Sequence, residues 1–164
     1  MKSLLLVRHA KSDWTNNLPD FDRPLNKRGS KDAPAMAKRL LAQKILPQLL
    51  LSSPANRALS TAKAFAKELG YQSSLIQEQQ TIYEAGVSDL LYIVNSIDNR
   101  FDSVALFGHN PGISLLAHYL CSNAATVDFP TAAVMYLIFE ETDSWAEISM
   151  DTARLSWYSY PKLV

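Results

Sequence analysis

The sequence predicts an α/β fold, a three-layer sandwich with a mostly parallel central sheet and helices on both faces. Three observations carry this expectation. Short apolar runs alternate with stretches of helical period, as in strands joined by crossover helices. The order strand, loop, helix recurs three times. Finally, the 164 residues are 48% hydrophobic with only 5 Gly and 8 Pro. A chain of that length buries roughly 70% of its unfolded surface, so residues 1–164 are expected to form one domain.

Taken in order, Ser3 to Val7 is a continuous apolar run, the mark of a strand buried on both faces. A polar loop follows from Lys11 to Arg23. Ala33, Met36, Ala37, Leu40 and Leu41 then recur at helical spacing. Asn26 is a plausible N-cap for that helix, but Pro34 lies inside it, so the helix is either kinked or begins later. Leu49 to Leu51 is the second strand. Ser53-Pro54 reads as an N-cap followed by proline at the first helical position, with Gly70 closing the helix. Residues 71–86 read mostly as loop, Val87 to Ile97 as helix and Ser103 to Phe107 as the third strand. Asn110-Pro111 repeats the cap-and-proline signal for a helix reaching about Cys121. Ala132 to Phe139 and Trp145 to Met150 are two further expected strands.

Composition narrows the function. The lone Cys121 cannot form an internal disulfide. No apolar run approaches the ~20 residues of a membrane span, and the N-terminus lacks the pattern of a secretory signal. A cytoplasmic protein with no membrane association is expected. Net charge is zero, yet residues 1–69 hold 13 Lys/Arg against 5 Asp/Glu, and residues 70–164 hold 3 against 11. Most of these charges fit solvated helix faces; the alternative is a basic pocket for an anion. Nucleic acid is a poor partner, because the pI is 6.8 and basic and aromatic residues do not interleave.

In sheets of this kind ligands bind beyond the carboxyl ends of the strands. Arg8 and His9 follow the first strand, Arg57 sits in the first turn of the helix after the second, and His109 follows the third behind Gly108. Two of three histidines and two arginines therefore converge. Guanidinium forks bind phosphoryl oxygens in bidentate fashion, and helix N-termini add N–H donors. One neutral imidazole can attack phosphorus while the other, protonated, stabilises the transition state. Gly108 is expected to admit a close backbone approach, with Asn110 beside it. Arg23 is either a further pocket residue or an ion-pair partner of Asp20 or Asp22. Lys11 and Trp14 are candidates for the rim. Histidines and thiols form no ligand cluster, so neither a metal nor another cofactor is expected.

Several segments, in this order, resemble one family: Arg8-His9-Ala10-Lys11-Ser12-Asp13-Trp14, Asp22-Arg23-Pro24-Leu25, Leu51-Ser52-Ser53-Pro54, Arg57-Ala58 with Thr61, Tyr83-Glu84-Ala85 and Gly108-His109-Asn110-Pro111-Gly112. The set resembles the histidine phosphatase superfamily and its small SixA-type branch, where Ala commonly replaces the glycine of the Arg-His-Gly motif. The resemblance implies a phosphoglycerate-mutase-like fold, His9 as a nucleophile that becomes phosphohistidine, and Arg8, Arg57 and His109 around the phosphate. Glu84 matches the position of the leaving-group acid in larger relatives, though a solvated glutamate remains an alternative. The implied activity is metal-independent phosphatase action on a protein phosphohistidine. A small phosphomonoester phosphatase and a silent phosphate-binding adaptor are the alternatives.

Overall fold

The computed structural model describes residues 1–124 and 127–163. Six strands form one sheet: β1 (Lys2–Arg8), β2 (Leu49–Ser52), β3 (Gln77–Glu78), β4 (Ser103–Gly108), β5 (Val134–Phe139) and β6 (Arg154–Ser159). Their spatial order is β3-β2-β4-β1-β5-β6. β1, β4, β2 and β3 run parallel, while β5 and β6 add an antiparallel margin. The central place of β1 explains its unbroken apolar run. Leu4 and Leu6 enter one core with Leu90, Ile93, Leu116 and Leu120. Leu5 and Val7 enter the other with Ala33, Met36, Leu40 and Phe65. Adjacent side chains of a strand point to opposite faces, so two cores require two helix layers. Helices α1 (Lys27–Ala42) and α2 (Asn56–Leu69) cover one face, and α3 (Val87–Asn95) and α4 (Gly112–Leu120) the other. This is the expected sandwich. No helix among the described residues is long and apolar enough to cross a membrane.

Helix α1 begins at its expected cap: the Asn26 side chain accepts from Gly29 N–H at 2.8 Å. Pro34 is held within a helix that runs on to Ala42. Gly29 is indispensable here, since a Cβ would lie 2.1 Å from the Lys11 carbonyl oxygen. The first turn of α1 is thereby pressed against the loop after β1. At the end of α2, Gly70 takes φ +83°, the left-handed conformation expected of a C-terminal glycine.

Four expectations need correction. Ser53 does not cap α2; the cap position is Ala55, whose side chain has no hydrogen-bonding group, and Ser53 lies two residues before it, its hydroxyl meeting His109. Asn110 stands one position before the cap of α4, which is Pro111, yet its side chain still accepts Ser114 N–H at 3.2 Å. Trp145 to Met150 is not a strand: Trp145–Glu147 is a 3-10 turn. Fully buried Trp145 anchors it, and Asn95 donates to the Trp145 and Ile148 carbonyls at 2.7 and 2.9 Å. Side-chain amides at the end of α3 and after it thus satisfy backbone that a neighbouring strand would otherwise pair. The last strand is β6 instead, and the two-residue edge strand β3 lies in what was read as loop.

Candidate active site

β1 and β4 pair in parallel and end together, Arg8 opposite Gly108. His9 and His109 consequently follow neighbouring strand ends, with ring centroids 5.3 Å apart. His9 is fixed by backbone on both sides: its N–H donates to Gly108 O at 3.0 Å, and its carbonyl accepts from Ala132 N–H at 3.0 Å. The next amide, Ala10 N–H, donates to Thr61 Oγ1, whose hydroxyl donates to Arg57 O in α2. The nucleophile candidate and the arginine helix are thereby tied through one threonine.

The ring of His9 has a defined tautomer. Its Nδ1 lies 2.8 Å from the Ala10 carbonyl oxygen, which can only accept, so Nδ1 carries the proton and Nε2 holds the lone pair. Burial above all, opposed by that hydrogen bond and aided by the nearby cations and His109, lowers the His9 pKa to about 3. Burial and then Arg57 lower His109 to about 4. Both rings are held neutral at pH 7, which corrects the expectation of a protonated His109. His109 can still donate. Its Nε2 meets Ser53 Oγ at 2.8 Å, and that oxygen also accepts Ala55 N–H at 3.2 Å. With the Ser53 hydroxyl donating to Nε2, the His109 proton sits on Nδ1.

Three arginines surround the pair. Arg57 donates through Nη1 to Asp20 O at 2.7 Å and through Nη2 to Asp20 Oδ2 at 3.0 Å. Arg23 Nη2 donates to Asp20 Oδ1 at 3.0 Å, and the Trp14 ring stacks 3.5 Å from its guanidinium carbon. Of the two alternatives for Arg23, the ion pair with Asp20 is the one formed, and it places Arg23 beside Arg57 on the same carboxylate. Tyr83 donates to Asp20 Oδ2 at 2.6 Å; that bond first, and Arg57 after it, holds the Asp20 carboxyl below its usual range. Arg8 Nη1 and Asn110 Nδ2 both donate to Phe129 O, at 3.0 and 3.1 Å.

Among the described residues, five buried side-chain N or O atoms have no hydrogen-bond partner: Arg8 Nε, Arg23 Nε and Nη1, Arg57 Nε and His109 Nδ1. All belong to this cluster. Buried donors are ordinarily satisfied, and a set of unsatisfied nitrogens, four of them on guanidinium ions, suits an oxyanion rather than a metal ion. The Asp20 carboxylate already sits on two of the guanidinium groups as an internal anion.

The remaining candidates separate. Glu84, with φ +60°, lines a cleft of about 470 Å³ with Asp20, Arg57, Tyr83 and His109. Asn110 lines this cleft and a second one that holds Arg8. Gly108 acts by position: its carbonyl holds His9, and the space a Cβ would need is filled by Ile113 and Ile82. Gly112 permits a close backbone contact of its own, since a Cβ there would lie 2.5 Å from Ala85 O. Lys11 is exposed and lines neither cleft; its carbonyl accepts Asn26 N–H. Sequence reasoning missed Ser53 as a partner of His109, and it weighed Asp20 only as an ion-pair partner. The serine was hidden by its resemblance to an N-cap, and the aspartate by the loop that carries it.

An α/β sheet with two histidines, three arginines and unsatisfied donors at its strand ends defines a phosphoryl-handling class of site. Residues 4–88 match the family model of the histidine phosphatase superfamily, branch 1, and the chain belongs to that superfamily. It is 30% identical over 155 residues to an uncharacterised chloroplastic protein of Arabidopsis thaliana, covering 89% of this chain and 70% of the other. A crystal structure assigned to the phosphohistidine phosphatase SixA of Agrobacterium tumefaciens is similar at 27% identity, with 98% of each chain covered and a TM-score of 0.81. A SixA protein histidine phosphatase bound to tungstate (22% identity, 97% of each chain, TM-score 0.81) shares the fold. So does a mycobacterial glucosyl-3-phosphoglycerate phosphatase, at 17% identity and TM-score 0.67, covering 94% of this chain and 96% of that one.

Proposed function

We propose that this chain hydrolyses phosphohistidine on a protein, by two transfers through His9. In the first, the Nε2 lone pair attacks phosphorus and the P–N bond of the substrate breaks; its electron pair returns to the substrate ring, which already carries a proton on its other nitrogen and leaves as neutral imidazole. In the second, water attacks the phosphorus on His9, the new P–N bond breaks, and Nε2 recovers its lone pair as phosphate departs. The observation that carries the reading is the His9 ring itself. Its Nδ1–H is committed to Ala10 O, which leaves Nε2 as the attacking atom among the arginines. Arg8, Arg57 and His109 Nδ1–H stabilise charge on the equatorial oxygens, where preorganised donors contribute most.

The similarity to SixA structures supports a phosphohistidine substrate, as does the economy of the chain. Residues 79–86 are all that join β3 to α3, too few for a lid enclosing a small substrate. Three arginines also repel a divalent cation, so the reaction is expected to run without metal. Glu84 favours a second reading, in which its carboxyl protonates the alkoxide of a small phosphomonoester. Turnover of a phosphohistidine-bearing protein beside a panel of small phosphomonoesters, with strong chelator present throughout, tests the choice. The proposal expects kcat/KM to favour the protein; preference for an ester, or silence until divalent metal is added, overturns it.

A further inference from the structure

The first turn of α1 holds Lys27 and Arg28 and no acidic residue. That runs against the helix dipole, whose positive end favours carboxylates. Breaches of a local rule are expected where a surface has work to do. The turn cannot drift, because Gly29 packs it against Lys11. Across from it, the segment after β6 is strapped to α1 by Arg39, which donates to the carbonyls of Tyr160, Pro161 and Leu163 at 2.8, 2.9 and 2.7 Å. Between turn and strap lies a groove of about 500 Å³ whose charged groups are Arg8, Arg28 and Lys162 against the single Asp128. Its apolar wall includes Phe129, Pro130 and Pro161. Asp32 engages Arg28 only at Nε, at 3.3 Å. Among the described residues, the terminal nitrogens of Arg28 and the Lys162 ammonium make no hydrogen bond.

This groove and the cleft beside Glu84 meet at Asn110. A small phosphate ester is too short to span both, whereas an extended polypeptide is long enough to lie along the two. We propose that the groove binds an acidic stretch of the substrate polypeptide, its carboxylates pairing with Arg28 and Lys162 while the phosphoryl group meets His9. The inference rests on the protein-substrate reading above. It gives the strongly basic first half of the chain a use outside the phosphoryl pocket.

The test is an amide NMR titration of the full chain with an unphosphorylated octapeptide of alternating Glu and Gly, with its Gln counterpart, and with inorganic phosphate. The Glu peptide should give saturable amide shifts at residues 27–29, 129, 131, 160 and 162. Replacing Glu by Gln, or introducing R28E/K162E, should weaken binding about 10-fold, as two exposed ion pairs warrant. Absence of saturable shifts there, equal binding of the Gln peptide, or unaltered binding by the double variant overturns the proposal. Saturation of these residues by inorganic phosphate but not by the peptide also overturns it, in favour of a small-anion subsite. A kinetic arm compares phosphohistidine proteins with Glu or Gln flanks, where the Glu form should gain about 10-fold in kcat/KM. If the chain turns over neither form, the phosphohistidine reading fails, while the titration still judges the groove.

Discussion

Acidification should weaken this protein through its active site. His9 is depressed to about 3 and His109 to about 4, first by burial in each case, whereas an unfolded histidine titrates near ~6.5. Below that value the unfolded chain binds protons that the native site refuses, so stability falls as pH drops from about 6.5 toward the folded values. At pH 5 the unfolded state is about 1.5 units below its pKa while both native rings remain neutral. At about 1.4 kcal/mol per unit, each histidine removes about 2 kcal/mol and the pair about 4. Against a total of about 5–15 kcal/mol that is a large share. Urea denaturation at pH 7 and pH 5 measures it directly. In His9→Gln, or in His109→Gln, the drop between the two pH values should shrink by about 2 kcal/mol. Inorganic phosphate should restore part of the loss, because an anion bound to the native site makes protonated imidazole welcome there and stabilises the fold by mass action. An unchanged drop in both variants, or a histidine titrating near 6.5 by NMR at position 9, would refute the reasoning.

Other perturbations probe separate parts of the site. Arg57→Ala should lower kcat by on the order of 10²-fold, by analogy with loss of one preorganised donor; a change confined to KM would mean ground-state binding only. Glu84→Gln should depress hydrolysis of phosphate esters more than of phosphohistidine, because an alkoxide needs a proton that an imidazole can bring with it. Equal losses on both would remove Glu84 as an acid. Gly29→Ala drives a methyl into the Lys11 backbone and should cost about 3 kcal/mol or more. That is a melting shift of roughly 2–4 °C per kcal/mol in a chain this size, and an unshifted Tm would mean that the contact relaxes freely.

The central layer was legible because buried strands announce themselves. Ser3 to Val7 and Ser103 to Phe107 are apolar on both faces, and they became neighbours whose ends carry the histidines. What was hidden had no periodic signal. Gln77 and Glu78 form an exposed edge strand held by backbone bonds alone. The apolar Trp145 segment looked like a strand, yet Asn95 and Asn99 satisfy its backbone from the side. In the site, Arg8, His9, Arg57 and His109 could be found from strand ends, since position in the sheet dictates where they meet. Ser53 and Asp20 could not, because a short polar side chain in a loop reads the same whether it caps a helix or holds a histidine or arginine in place. The protonation of His109 was misjudged for a related reason: burial depresses its pKa, and the sequence does not reveal its depth.

The most direct test of the account asks which imidazole takes the phosphoryl group. Turnover quenched at alkaline pH should trap an acid-labile phosphate on the protein, and peptide mapping should find it on His9, attached at Nε2. The account predicts that the label vanishes in His9→Ala and persists, at a lower level, in His109→Ala. Label retained in His9→Ala and lost in His109→Ala would contradict it.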